Sequence, residues 1–102
     1  MKKIILSLGL LVVLSFGSTV QDAMKAYEKG DFQTGITILQ NLSKKGDLEA
    51  KFFLAGAYLD GEGVEQNPKK AKKMYEELAQ EGHTPSKVIL LTICEDEPQA
   101  CK

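Results

Sequence analysis

The chain has 102 residues, of which 43% are hydrophobic and 26% are charged. This balance is typical of a single small globular domain, and it excludes a disordered tail or a multidomain enzyme. The formal net charge of −1 does not indicate the clustered basic surface that nucleic-acid binding normally needs, so nucleic acid is not an expected partner.

The N-terminal segment has the pattern of a signal peptide. Lys2 and Lys3 precede an apolar run from Ile4 to Phe16, and small residues flank a cleavage point after Gly17. The run is shorter than the roughly 18 to 20 residues that a membrane span needs, so a cleaved signal over residues 1–17 is favoured over a retained membrane helix. We therefore expect an exported protein, periplasmic or secreted, without stable membrane insertion after cleavage.

The next segment predicts a helical hairpin over residues 18–46. Thr19 and Asp22 form a capping-box pattern that opens a helix over roughly 19–29. Asp31 is placed to cap a second helix over 32–45. Apolar residues recur in that helix every three or four positions, at Phe32, Ile36, Leu39 and Leu42.

A second hairpin follows over residues 47–82. Its first helix, over 47–59, ends before Gly61 and Gly63. These glycines favour a turn over a phosphate-binding loop, because the further glycine and the preceding buried strand that such a loop needs are missing. Asn67 and Pro68 supply a cap and an N1 proline for the next helix, over 68–81. The apolar stripe of that helix is Ala71, Met74, Tyr75, Leu78 and Ala79.

The last predicted helix, over 85–94, is apolar on nearly all sides. Thr84 is the expected N-cap and Pro85 the N1 proline. A terminal helix should present a polar face. Either the acidic residues 95–97 fold over the excess apolar surface of this helix, or the helix contacts a second copy of the chain in a homodimer.

The second hairpin resembles a complete Sel-one-like repeat (SLR), a relative of the tetratricopeptide repeat. The resemblance is carried by Ala50, Leu54, Ala55, Tyr58, Gly61, Gly63, Val64, Asn67, Lys70, Ala71, Tyr75, Ala79 and Gly82. Shifting the chain by 36 residues also superimposes Leu39 on Tyr75 and Gly46 on Gly82, and the same shift places a half repeat over 83–102.

The resemblance implies an all-α fold, a short right-handed α-solenoid of about five helices. It also implies a protein-interaction module that binds a peptide or an envelope protein in a concave groove, with no cofactor. The groove positions implied by the repeat alignment are Asp22, Phe53 and Ile89. For Phe53, groove contact and core packing both stay open.

A second function follows from a cysteine-rich SLR group that the chain also resembles, and that group is β-lactamase-like and penicillin-binding. Its cysteines recur once per repeat with seven residues between them, whereas here six separate one pair. No S-x-x-K or G-x-S-x-G motif is present. No catalytic residue is therefore assigned.

The two cysteines, Cys94 and Cys101, are expected to pair in an oxidising compartment. Residues seven apart lie roughly 10 Å apart along an unbroken helix, too far for a disulfide. Pro98 breaks the helix and lets the tail fold back. A disulfide-closed tail is favoured, with a reactive dithiol in a redox accessory protein as the alternative.

Two further features invite a functional interpretation. His83 is the only histidine. Because no Cys, Asp or second His lies at metal-ligand spacing around it, a packing role is favoured and no metal site is assigned. The lysines between Lys69 and Lys73 suggest anion or membrane contact, but a solvated face partly neutralised by Glu76 and Glu77 is favoured.

Overall fold

The computed structural model describes residues 18–102, and the predicted signal peptide lies outside them. Within this range the chain forms five α-helices and one short 3-10 helix, without a strand. They are α1 (Val20–Glu28), α2 (Phe32–Lys44), α3 (Leu48–Asp60), α4 (Pro68–Gln80), α5 (Thr84–Asp96) and the 3-10 helix (Pro98–Cys101). The prediction of an all-helical chain with five helices is confirmed.

The predicted caps of the first two helices are present. The backbone N–H of Thr19 donates to the Asp22 carboxylate at 2.9 Å, and the N–H of Asp22 donates to the Thr19 hydroxyl at 3.3 Å. This is the reciprocal capping box, which satisfies two N–H groups that a helix start leaves without partners. Asp31 caps α2 by accepting the Thr34 N–H at 3.2 Å. Hydrogen bonding from the Thr34 side chain, and then from this N–H, lowers the pKa of the Asp31 carboxyl.

The turn between α3 and α4 lies where Gly61 and Gly63 predict it. Gly61 has φ +76° and Gly63 has φ +80°, both in the left-handed region that side chains disfavour. A Cβ on Gly63 would also lie 2.8 Å from the Phe32 carbonyl oxygen, so the turn packs closely on the start of α2. Asn67 then caps α4, accepting the Lys70 N–H at 3.2 Å.

The start of α5 differs from the prediction by one residue. Thr84 is the first helical residue and His83 is the N-cap, so the assignment of Thr84 as the cap is wrong. Pro85 is the second helical residue and not the first. A proline is tolerated at either position, because neither N–H has an acceptor within the helix.

The core lies between successive helices. Leu39 of α2 and Leu78 of α4 are completely buried, and the small residues Ala50, Ala55 and Ala71 let the helix backbones approach closely. Each helix packs mainly against the next one along the chain, and the 3-10 helix packs on both α4 and α5.

Candidate functional site

A groove opens between α1 and α3, the first helices of the two hairpins. It has a volume of 280 Å³. We call this the α1–α3 groove; it is lined by Met24, Tyr27, Phe32, Phe53, Gly56, Ala57, Asp60 and Glu62. Most of these side chains are apolar, while the two carboxylates lie toward the end of α3 and the turn that follows it.

Tyr27 forms one wall of the groove and is held from two sides. Its ring centroid lies 5.4 Å from that of Phe32. Its hydroxyl donates a hydrogen bond to the Glu62 carbonyl oxygen at 3.4 Å. A Cβ on Gly35 would come within 2.8 Å of the Tyr27 ring. The absence of a side chain at Gly35 therefore lets the ring pack closely on α2. The position of this wall is therefore set before any ligand arrives.

Phe53 projects from α3 and is half-buried. It packs on Phe52, with ring centroids 5.6 Å apart, and lines the α1–α3 groove on its other side. It also borders a second hollow of 540 Å³ toward the start of α5, beside Leu48 and Pro85. Phe53 therefore packs against the core and also lines two hollows at the surface.

The other two predicted groove residues lie elsewhere. Asp22 is exposed and its carboxylate is engaged in the capping box of α1. Ile89 is half-buried against the core on α5. Among the described residues, those that line the α1–α3 groove include Phe53 but neither Asp22 nor Ile89.

Two tyrosines near the groove have raised pKa values, mainly because they are buried and secondarily because a carboxylate of the groove lies near each of them. Burial and the nearby Glu62 carboxylate raise the pKa of Tyr27. Burial and the Asp60 carboxylate raise the pKa of Tyr75 to about 12. Desolvation disfavours the charged phenolate, and a neighbouring carboxylate opposes it further. Both carboxylates that line the groove therefore act on groups inside the fold.

His83 takes the packing role that the sequence favours. Its ring centroid is 5.1 Å from that of Phe52, and its Nδ1 lies 2.8 Å from the Ser86 hydroxyl oxygen. Ser86 is completely buried, so this contact satisfies a hydroxyl that would otherwise lose its hydrogen bond to water. Across residues 18–102, no three His, Cys, Asp or Glu side chains are grouped so as to hold a metal ion.

The lysine run is engaged in part with aromatic and acidic neighbours. The Lys70 ammonium lies 4.4 Å from the Tyr58 ring centroid, a cation–π distance. Glu77 pairs instead with Lys51 of α3 at 2.8 Å, and that contact lowers the pKa of the Glu77 carboxyl, with Lys73 adding a smaller effect. The ion pair thus joins α3 to α4.

The cysteine pair forms the predicted disulfide. Cys94 and Cys101 are bonded, with their Cα atoms 5.7 Å apart. Helix α5 ends at Asp96, before Pro98, and the 3-10 helix turns back so that Ala100 is 5% exposed. The tail covers Ile93 but leaves Val88 57% and Leu91 80% exposed. The acidic tail therefore does not cover the outer face of α5.

No helix within residues 18–102 has the length and apolar character needed to cross a membrane. No protein-family model matches the chain, and no solved structure is significantly similar to it. A stretch of 61 residues, or 60% of the chain, is 36% identical to a protein of Rhizobium leguminosarum bv. viciae named exopolysaccharide production negative regulator. The match covers 23% of that protein, so the chain spans about a quarter of the relative's length.

Proposed function

We propose that this chain is an exported protein-interaction module, and that its five helices form a short right-handed α-solenoid of the SLR kind. The observation that carries the proposal is the position of Phe53. It borders both the α1–α3 groove and the hollow toward α5, so one aromatic side chain lies between two cavities along the first helices of successive hairpins. Half-buried aromatic residues in such positions are frequent anchors in protein interfaces.

The packing order supports the solenoid arrangement. Every α-helix contacts mainly its neighbours in sequence, which is the contact pattern of stacked helical hairpins. Four of the residues that carry the SLR resemblance, Ala50, Ala55, Ala71 and Tyr75, are buried, and this supports a closely packed α3–α4 hairpin.

The disulfide and the N-terminal pattern support export. Disulfides form and persist mainly outside the reducing cytosol. The bond between Cys94 and Cys101 and the signal-like residues 1–17 point to the same compartment.

The Rhizobium relative is named as a regulator. A regulatory role carried out through binding agrees with the module proposed here. A homodimer through the exposed face of α5 remains a separate prediction.

Photocrosslinking in living cells tests the module. A photoreactive amino acid is placed at Phe53, and a control is placed at Gln80, which is exposed on α4. We expect one identified envelope protein to be captured from position 53 and not from position 80. Equal capture from both positions would contradict the proposed groove. Hydrolysis of a chromogenic cephalosporin by the purified protein would instead favour the β-lactamase-like alternative.

A further inference from the structure

The size of the α1–α3 groove suits a side chain of a bound peptide. Its volume of 280 Å³ lies just below the roughly 300 to 1,000 Å³ of typical small-molecule pockets. One large apolar side chain of a peptide fits in a hollow of this size, and the rest of the peptide then lies along the helices.

The inner surface of the groove is apolar and held in place. Met24 of α1 and Phe53 of α3 both line the groove, together with Phe32, which remains 39% exposed at the start of α2. Tyr27 is fixed by its contact with α2 and by its bond to the turn. Binding to a preformed surface loses less conformational entropy than binding to one that must first become ordered.

One end of the groove carries acidic residues. Asp60 and Glu62 are both exposed, and no Lys or Arg is present among the described residues that line the groove. Without Lys2 and Lys3, the chain from residue 18 onward has eleven basic and fourteen acidic side chains, a formal net charge of −3. A cationic group beside the apolar anchor complements this end, whereas an acidic group is repelled.

We propose that the α1–α3 groove binds a peptide segment that carries one large apolar side chain next to an arginine or lysine, with the apolar side chain between Met24 and Phe53 and the cation beside Asp60 and Glu62. This inference rests on the proposed function and specifies its partner by chemistry. The exposed Val88 and Leu91 of α5 lie outside this groove and play no part in it.

The test is selection of a displayed library of random linear peptides on the purified, disulfide-bonded protein. We expect the recovered peptides to share an aromatic, leucine or methionine residue adjacent to arginine or lysine. The strongest peptide is then synthesised and titrated against the protein and its variants by NMR or fluorescence. Recovery of acidic peptides, or of none with a common pattern, would overturn the inference.

Variants separate the two parts of the site. Phe53→Ala should weaken binding at least tenfold, while Leu91→Ala, at an exposed position outside the groove, should leave it unchanged. The double change Asp60→Asn with Glu62→Gln should remove the preference for arginine over glutamine in the peptide and reduce the salt dependence of binding. Glu95→Gln, an exposed acid on α5, is the matched charge control.

The outcomes distinguish this inference from the proposed function. Loss of binding in Phe53→Ala without any preference for a basic residue would overturn the stated chemistry and leave the groove as a binding surface. Peptide binding that is unchanged by both the aromatic and the acidic substitutions would overturn the groove itself. Because the charge variants are exposed, they test the chemistry even if Phe53→Ala proves poorly folded.

Discussion

Removing the disulfide is expected to destabilise the protein moderately and to release its C-terminus. The change is Cys94→Ser together with Cys101→Ser, and both positions are exposed, so serine is easily accommodated there. The bond joins residues seven apart. Closing a loop of this length raises the free energy of the unfolded chain by about 2.4 kcal/mol according to the chain-entropy relation.

This figure is an upper bound for a specific structural reason. If the 3-10 helix frays once the bond is absent, the folded variant regains chain freedom, and the lost free energy of unfolding falls to about 1 to 2 kcal/mol. Fraying also exposes Ala100, which is only 5% exposed in the intact fold. In a domain of this size, such a loss lowers the melting temperature by roughly 4 to 16 °C.

Urea denaturation and hydrogen exchange together measure both effects. We expect the amide of Ala100, which donates to the Glu97 carbonyl at 2.9 Å, to lose its protection, while amides around Leu78 keep theirs. Reductant should destabilise the native protein and leave the double variant unchanged. A loss above about 4 kcal/mol would refute this reasoning, because the bond would then hold the core and not only the tail.

Further predictions concern buried positions. Gly35→Ala should destabilise by about 1 to 3 kcal/mol, because its Cβ would lie 2.8 Å from the Tyr27 ring. Gly56→Ala is the matched control in another helix interior, because its Cβ would meet only the Tyr75 hydroxyl, at 3.5 Å. The better helix propensity of alanine should then stabilise the protein by about 0.5 to 1 kcal/mol, as measured by urea denaturation. Leu78→Ala, at a completely buried position, should cost about 3 kcal/mol in the same assay, and a loss below about 1 kcal/mol would contradict the packing of α4. Since the folded state raises the pKa of Tyr75 from 10.0 to about 12, the phenol contributes stability that is fully present below pH 10 and is lost as pH rises through 12. Allowing for solvent screening, this loss is about 1 to 2 kcal/mol. Denaturation at increasing pH should show a smaller loss in Tyr75→Phe than in the native protein, because only the raised pKa of Tyr27 then contributes.

The helices were predictable because their signals are local. Thr19, Asp31 and Asn67 each supply a side chain that caps the helix immediately after it, and these caps appear where the sequence places them. The predicted start of α5 differs from the observed start by one residue. A proline fits either of the first two helical positions and therefore does not identify the cap.

The groove was less predictable because it depends on two helices that are not consecutive. Met24 and Phe53 line one groove only because α2 returns the chain and brings α3 beside α1. Phe32 belongs to an apolar helical pattern that predicts burial, yet it lies at the first turn of α2, where the side chain remains 39% exposed. Periodicity identifies the apolar face of a helix but does not show how far along that face the neighbouring helix extends.

The restriction of helix packing to neighbours along the chain also bears on how the protein folds. Contacts between residues close in sequence require only short loops to close, so folding is expected to take microseconds to milliseconds. Either hairpin can form first and template the other. Among the described helices, α1 packs mainly on α2, and α5 packs on α4 and the 3-10 helix. The capping box at Thr19 and the bond between Cys94 and Cys101 are thus located at the two ends from which unfolding would otherwise begin.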